Sequence, residues 1–170
     1  QKANDFFKSE LFKSKFYLEY GSGCSSVLAS KMHKDFYSIE GDKNFYKFMI
    51  SKVSKKNIKF RSLGIVKENS IPIHSLSDLK NVSLSDKQRS RIRDYCSAIF
   101  ELSNEKGLAP DLILVDGRYR VLCGLYLYKF FKENNQNFKI IFDDFNTNKN
   151  YHELNHFFEI EIFERFGITT

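Results

Sequence analysis

The chain has 170 residues, of which 42% are hydrophobic, and 27 basic against 21 acidic residues give a net charge of +6. This composition excludes a disordered chain, and the length predicts a single domain over residues 1–170 with a substantial core. The basic excess is compatible with nucleic acid or an acidic substrate, but Lys52, Lys55 and Lys59 are scattered along a predicted helix and its exit. Such scatter is more typical of a solvated surface, so nucleic acid is the less favoured partner.

The cysteines and the hydropathy pattern bear on location. Cys24, Cys96 and Cys123 are odd in number and lack metal-type spacing, which predicts reduced core thiols in a cytoplasmic protein. No apolar stretch reaches membrane-spanning length and no signal-peptide pattern is visible, which predicts no membrane contact. Because the chain begins at Gln1, the earlier removal of a native leader stays open.

The first predicted elements are a helix, a strand and a glycine loop. Phe7, Leu11 and neighbouring phenylalanines recur among lysines at helical spacing in residues 1–15, which predicts an amphipathic leading helix against a sheet. The apolar run 16–20 predicts a strand. The loop 21–23 follows it, and a run of small and apolar residues then predicts a helix start.

The glycine loop is the first candidate site. Gly21 can adopt backbone angles that are closed to other residues, and Gly23 lets a ligand approach the main chain, with Ser22 between them. Free amides at the helix start then point at whatever lies above the strand ends. A strand, turn and helix without any ligand is the alternative.

The middle of the chain alternates strands with helices. A second strand at 36–39 ends in Glu40, about twenty residues after the first strand, where an acid meets ribose hydroxyls in βαβ nucleotide sites. Asp42 then caps a helix that is predicted to run to residue 54. A third strand is predicted at 58–63, and a polar insertion occupies 65–83.

The second half of the chain repeats this alternation. A capping box formed by Ser85 and Gln88 opens a helix to about Asn104, which Gly107 closes. The further predicted elements are a strand at 111–115, a helix to residue 132, a strand at 138–142, a helix at 151–157 and a strand at 158–164.

This alternation predicts an α/β fold, a Rossmann-like, doubly wound, mainly parallel sheet with helices on both faces. Right-handed crossovers then place four carboxylates along the edge at which such sheets bind ligands. These residues are Glu19, Glu40, Asp116 and Asp143.

The sequence Glu19-x-Gly21-x-Gly23 resembles the first motif of the class I S-adenosylmethionine-dependent methyltransferases. Glu40 is similar to the acid that ends the second strand of that family. The sequence departs from the motif at Ser25, which stands where the family has its third glycine.

The resemblance extends over residues 16–157. Within it, the run 111–123 is similar to a little-characterised bacterial subgroup that is usually called methyltransferase-like. The later segments Asp143-Asp144-Phe145 and Tyr151-His152 carry the same likeness.

The resemblance implies S-adenosylmethionine as the cofactor and a role for each motif residue. Glu19 would orient the glycine loop and the methionine amino group, and Glu40 would hold the ribose hydroxyls. The loop 21–23 would pass under the cofactor. Asp116 would lie beside the cofactor's methyl group, in a substrate-side role or as the base, although an aspartate before a glycine also caps helices.

Charged residues after the predicted fourth and fifth strands suggest further contacts. Arg118 and Arg120 are either ligands for a carboxylate or phosphate of the substrate or counter-ions for the site's own carboxylates. Asp116, Asp143 and Asp144 have the oxygen chemistry for Mg²⁺, which holds the acceptor hydroxyl in some O-methyltransferases that this sequence resembles.

A second metal hypothesis concerns two histidines. His152 and His156 stand at i and i+4 of a predicted helix, a geometry that is compatible with a transition metal. A surface or core pair is favoured, because no third ligand lies near them in the sequence.

These residues favour methyl transfer to an oxygen or nitrogen of a small-molecule or glycan acceptor. A non-catalytic module on the same fold, which binds the cofactor, a partner or nucleic acid, is the alternative. A nicotinamide-dependent oxidoreductase is disfavoured, because Ser26 stands where its motif needs glycine or alanine. The insertion at 65–83 is expected to set the acceptor, and the oligomeric state is open. The sheet is expected to stop before the family's final hairpin, which would leave the substrate wall incomplete if Thr170 is not the native end.

Overall fold

Seven strands form one sheet in the order β3-β2-β1-β4-β5-β7-β6 in the computed structural model, which describes residues 2–32, 34–64, 75–81 and 83–170. The strands are β1 (Phe16–Tyr20), β2 (Asp35–Glu40), β3 (Ile58–Phe60), β4 (Leu112–Val115), β5 (Lys139–Phe142), β6 (Glu161–Phe163) and β7 (Phe166–Thr169). Strands β1 to β5 are parallel, whereas β7 runs antiparallel to both β5 and β6.

Helices cover both faces of this sheet. They are α1 (Lys2–Lys13), α2 (Cys24–Lys31), α3 (Lys43–Met49), α4 (Leu76–Asn81), α5 (Asp86–Cys96), α6 (Ala98–Lys106) and α7 (Arg120–Asn134), with 3₁₀ helices at Lys55–Asn57 and Lys149–His156. Residues of α1, α2 and α3 pack on one face, and residues of α5, α6 and α7 pack on the other. The predicted doubly wound α/β fold is confirmed. Within the described ranges, none of the helices combines the length and apolarity needed to cross a membrane.

Strand β4 shows why the sheet needs helices on both sides. All four of its residues are buried. Leu112 and Leu114 join the core under α1, whereas Ile113 and Val115 join the core under α7. A strand without a polar face can only lie in the interior of a sheet that is covered twice.

The prediction of one continuous helix from residue 86 to about Asn104 is wrong. The structure has two helices, α5 and α6, which are separated at Ser97. The backbone of Ser97 has φ −88° and ψ 4°, and its carbonyl accepts from the amide of Phe100 in a three-residue turn. Tyr95 and Ile99, on either side of the break, are buried in the same core. Gly107 closes α6 in the left-handed conformation, as predicted.

Other helices and strands end at different residues in the structure from those predicted from the sequence. Helix α3 ends at Met49 instead of residue 54, and β3 ends at Phe60 instead of residue 63. The segment predicted as a helix at 151–157 is a 3₁₀ helix. The insertion, which was expected to set the acceptor, lies largely outside the described residues because they exclude 65–74 and 82.

The expectation that the sheet stops before its final hairpin is wrong. Strands β6 and β7 form an antiparallel hairpin, and Glu164 in the turn has φ +54°. The predicted strand at 158–164 is therefore only the first, exposed arm of that hairpin. Gly167 interrupts the apolar pattern of β7, but a Cβ there would lie 2.5 Å from the ring of Phe145. Glycine is needed for the close approach, although it weakens the strand signal.

A pair of neighbouring substitutions tests the docking of α1. Leu11 is fully buried, whereas Phe12 is 76% exposed. We expect Leu11→Ala to lower the free energy of unfolding by roughly 2–5 kcal/mol, because it leaves a cavity. We expect Phe12→Ala to change it by less than about 0.5 kcal/mol. Urea denaturation of both variants measures the difference, and equal effects would contradict this packing.

Candidate functional site

The carboxyl ends of four parallel strands meet at one edge of the sheet. The amide of Gly21 donates to the carbonyl of Ile39 at 2.9 Å, and the amide of Asp116 donates to the carbonyl of Tyr20 at 3.0 Å. The amide of Asp143 likewise donates to Val115. These bonds continue the ladders one residue beyond the strands, so the loops that follow β1, β4 and β5 have fixed relative positions.

Two of these loops touch through glycines. Gly21 has φ +93°, and a Cβ on it would lie 2.6 Å from the Cα of Gly117. A Cβ on Gly117 would lie 2.2 Å from the hydroxyl of Tyr95. Neither position has room for a side chain, and Gly21 also needs a conformation that favours glycine.

Gly23 has a different environment from Gly21. Its φ of 179° is extended and open to any residue. No atom of the described chain lies within 4 Å of the position that its Cβ would take. Space therefore exists above the backbone at Gly23, where the sequence predicts the approach of a ligand.

Glu19 holds the glycine loop in place through buried hydrogen bonds. Its carboxylate is fully buried and accepts hydrogen bonds from the hydroxyls of Tyr17, at 2.7 Å, and Ser26. The Ser26 hydroxyl in turn accepts from the amide of Gly23 at 3.0 Å. Burial raises the pKa of Glu19, although the surrounding hydroxyls oppose the shift. Because Glu19 has no exposed surface, the contact with a methionine amino group that the resemblance implied is not available in this arrangement.

Glu40 connects the first two loops. One carboxylate oxygen accepts from the amide of Ser22 at 3.2 Å, and the other accepts from the amide of Asp42 at 2.7 Å. Burial raises the pKa of Glu40, and these amides oppose the shift. The side chain borders a cavity of about 380 Å³, which we call the Glu40 cleft. Its wall is formed by Gly21, Ser22, Glu40, Gly41, Asp42, Phe45, Leu63, Tyr95, Asp116, Gly117, Arg118 and Arg120.

A second cavity of about 410 Å³, the Phe7 cavity, lies under α1 on the other side of the glycine loop. Phe7, Leu114 and Phe166 supply apolar wall, and the start of α2 closes one end. Lys8 and Lys31 also border it, and no carboxylate in the described ranges lies within 4 Å of either ammonium group. The full lining is Asn4, Phe7, Lys8, Gly23, Cys24, Ser25, Val27, Leu28, Lys31, Leu114, Asp116, Asp143, Arg165 and Phe166.

Asp116 borders both cavities. Its carboxylate pairs with Arg120 at 2.8 Å, and 42% of its side-chain surface is exposed. Partial burial raises the pKa of Asp116 to about 7; the nearby charges of Asp143 and Asp144 add to the shift, and Arg120 opposes it. A carboxyl group that titrates near neutral pH is suited to accept a proton.

The guanidinium of Arg120 uses its hydrogen-bond donors on neighbouring residues of the site. A guanidinium has five N–H donors, and this one makes five hydrogen bonds. Two go to the carboxylates of Asp116 and Asp144, at 2.8 and 3.1 Å, and three go to the carbonyls of Asp116, Gly117 and Asp143. The interpretation of Arg120 as a substrate ligand is therefore not supported, because no donor is left. Arg118 is exposed at the Glu40 cleft, and no carboxylate of the described chain lies within ion-pair distance of it.

The predicted Mg²⁺ ligands do come together. Asp116, Asp143 and Asp144 each place an oxygen within 4.8 Å of the others. However, Arg120 bridges two of these carboxylates and the Nε of Arg165 donates to the third. The arrangement does not favour a divalent cation, because a guanidinium group already pairs with one oxygen of each carboxylate and its positive charge would repel a second cation.

The two histidines have different environments, and His152 contacts Phe145. The ring of His152 packs on Phe145 with a centroid distance of 5.0 Å, and its Nε2 lies 3.1 Å from the carbonyl oxygen of Phe145. His156 is exposed. The candidate cluster of metal-binding side chains among the described residues, Asp116, Asp143 and Asp144, does not include either histidine.

Sequence reasoning missed several lining residues. Tyr95 lies on α5, and its hydroxyl reaches Gly117 at the Glu40 cleft. Phe7 and Arg165 line the Phe7 cavity from elements far apart in the chain. Cys24, predicted as a core thiol, is exposed at the same cavity, whereas Cys96 and Cys123 are buried as predicted. No local signal distinguishes such residues from ordinary core and surface positions.

Comparison with known proteins adds a likeness at the level of the fold. No protein-family model and no curated protein matches the sequence. The structure is similar to that of a methyltransferase-like protein from Silicibacter pomeroyi, with a TM-score of 0.72 and 22% sequence identity. The likeness covers 98% of this chain and 83% of the other. The chain therefore has a methyltransferase-like α/β fold.

Two glycine substitutions distinguish the tightly packed position Gly21 from the open position Gly23. We expect Gly21→Ala to lower the free energy of unfolding by roughly 1–3 kcal/mol, because the alanine would have a strained backbone and its Cβ would clash with Gly117. Gly23→Ala should change it by less than about 0.5 kcal/mol, because its backbone is extended and open. Thermal and urea denaturation measure both effects. A Gly21→Ala variant as stable as the wild type would contradict the contact.

The raised pKa of Asp116 predicts a pH-dependent stability. Between the ordinary aspartate pKa and about pH 7, the folded chain holds a proton that the unfolded chain has released, so this group makes stability fall as pH rises. Asp116→Asn removes that dependence. We expect the stability of the variant relative to the wild type to increase between about pH 4 and about pH 8. A constant difference in denaturation experiments across this range would contradict the shift.

Proposed function

We propose that the protein transfers a methyl group from S-adenosylmethionine to an oxygen or nitrogen of an acceptor, which is a small molecule or a glycan. The observation that carries this proposal is the position of Asp116. It lies at the border of two cavities, one beside the glycine loop and the other under α1. The methyltransferase-like fold supports the same reaction class.

The Glu40 cleft would hold the methyl donor. Each carboxylate oxygen of Glu40 accepts one backbone amide and keeps lone-pair capacity for a further donor such as a ribose hydroxyl. Gly21 and Ser22 of the glycine loop form part of the wall of this cleft, so a ligand held there would lie against the loop. The carboxylate of Asp116 at the far wall is compatible with the positive charge of a sulfonium.

The Phe7 cavity would hold the acceptor. In the proposed step the acceptor oxygen or nitrogen attacks the methyl carbon, the bond from carbon to sulfur breaks, and S-adenosylhomocysteine leaves as a neutral sulfide. Asp116 takes the proton that the nucleophile loses, because it is the carboxylate shared by both cavities and titrates near neutral pH. The remaining contribution is positioning of the two reactants.

Calorimetry with S-adenosylhomocysteine tests the donor site. We expect micromolar binding to the wild type and a loss of at least roughly tenfold in Glu40→Gln, because an amide nitrogen cannot accept the amide protons and ribose hydroxyls that a carboxylate oxygen accepts. Asp35→Asn is the matched control, since Asp35 begins the same strand and lies away from the cleft.

Unaltered affinity in Glu40→Gln would place the ligand elsewhere. No heat at millimolar S-adenosylhomocysteine would contradict the proposal as a whole. Binding of NAD instead would favour the oxidoreductase alternative.

A further inference from the structure

We infer that Arg120 is the resident cation of the carboxylate cluster formed by Asp116, Asp143 and Asp144, and that it excludes a divalent metal from this site. The exclusion of metal follows from the geometry of the cluster alone. Its consequence, that methyl transfer here needs no metal, rests on the proposed function.

Arg120 occupies one oxygen of each of two carboxylates in the cluster and places its positive charge close to the remaining oxygens. Its NH2 nitrogen lies 2.8 Å from Oδ1 of Asp116, and its NH1 nitrogen lies 3.1 Å from Oδ2 of Asp144. A Mg²⁺ ion must approach carboxylate oxygens to about 2.0–2.1 Å with near-octahedral geometry. An ion that bridged these two oxygens would lie against the guanidinium and be repelled by its charge.

Displacing the Arg120 side chain from the cluster would be costly. Its guanidinium does not lose its proton at accessible pH, so the charge stays. Its other three donors satisfy the carbonyls of Asp116, Gly117 and Asp143, which end β4 and β5. Displacing the side chain would leave these carbonyls without that partner, which is costly where water is limited.

The surroundings also hold the side chain in place. Only 12% of the Arg120 side chain is exposed, and its guanidinium carbon lies 5.4 Å from the centre of the Tyr151 ring. Tyr119, directly before it, has φ +57°, which marks a defined turn into α7. Arg165 neutralises the third carboxylate, Asp143, from the opposite side. Two guanidinium groups thus balance most of the charge of three carboxylates.

The experiment is a titration with Mn²⁺, followed by electron paramagnetic resonance, on the full chain without cofactor or acceptor. We expect no saturable binding to the wild type. Arg120→Gln should gain one saturable site per chain, at least roughly tenfold tighter than any residual binding to the wild type, because the cluster loses its cation and keeps its oxygens. The amide of glutamine can still donate to a backbone carbonyl, so this variant preserves part of the support for the fold.

Three further variants make the outcome specific to the cluster. Arg120→Lys, which keeps the charge, should exclude Mn²⁺ as the wild type does. Arg118→Gln removes a neighbouring positive charge that contacts none of the three carboxylates, and should gain nothing. Adding Asp144→Asn to Arg120→Gln should remove the new site. Melting curves confirm that each variant is folded.

Two results would overturn the inference. One is stoichiometric Mn²⁺ binding to the wild type that Asp144→Asn abolishes. The other is a folded Arg120→Gln variant that gains no site. Because no donor or acceptor of methyl groups is present, either result leaves the proposed methyl transfer to be judged separately by the binding of S-adenosylhomocysteine.

Discussion

The close contact between Gly21 and Gly117 is the constraint on which the rest of the site depends. These glycines follow the two central strands, β1 and β4, and each lies where the other loop leaves no room for a side chain. Because the strands are buried and continuous in the sheet, the contact fixes the glycine loop relative to Asp116. Asp116 then stands between two cavities on opposite sides of the loop.

The acidic residues at this edge divide into two structural roles. Glu19 and Glu40 are buried and use their oxygens to hold hydroxyls and amides of the loops, so they make the edge rigid. Asp116 and Asp144 are more open and share one guanidinium, that of Arg120. The first pair shapes the floor of the site, and the second leaves a titratable carboxylate facing the cavities. Such rigid placement would suit the proposed role of Asp116 as a base between two positioned reactants.

Much of this architecture is predictable from the sequence because parallel strands carry strong local signals. The apolar run of β4 and the acid at the end of β2 place Asp116 and Glu40 at one edge, and the special conformation of Gly21 follows from its place after a strand. The break at Ser97 and the glycine-containing strand β7 escape prediction, since tertiary packing overrides weak local preference there.

The role of Arg120 also cannot be read from spacing alone. A basic residue four positions after Asp116 fits a substrate ligand and a counter-ion equally well. The choice depends on Asp144 and on the end of β5, which only the fold brings near. The Phe7 cavity is hidden for the same reason, because α1, α2, β4 and β7 each contribute part of its wall.

The central claim is that Asp116 separates a donor site from an acceptor site. A crystal structure with S-adenosylhomocysteine bound tests it most directly. The account predicts the ribose hydroxyls within hydrogen-bond distance of Glu40 and the sulfur facing Asp116, with the Phe7 cavity left open for an acceptor. A ligand that lies away from Glu40, or one that fills the Phe7 cavity with its adenosine, would contradict it.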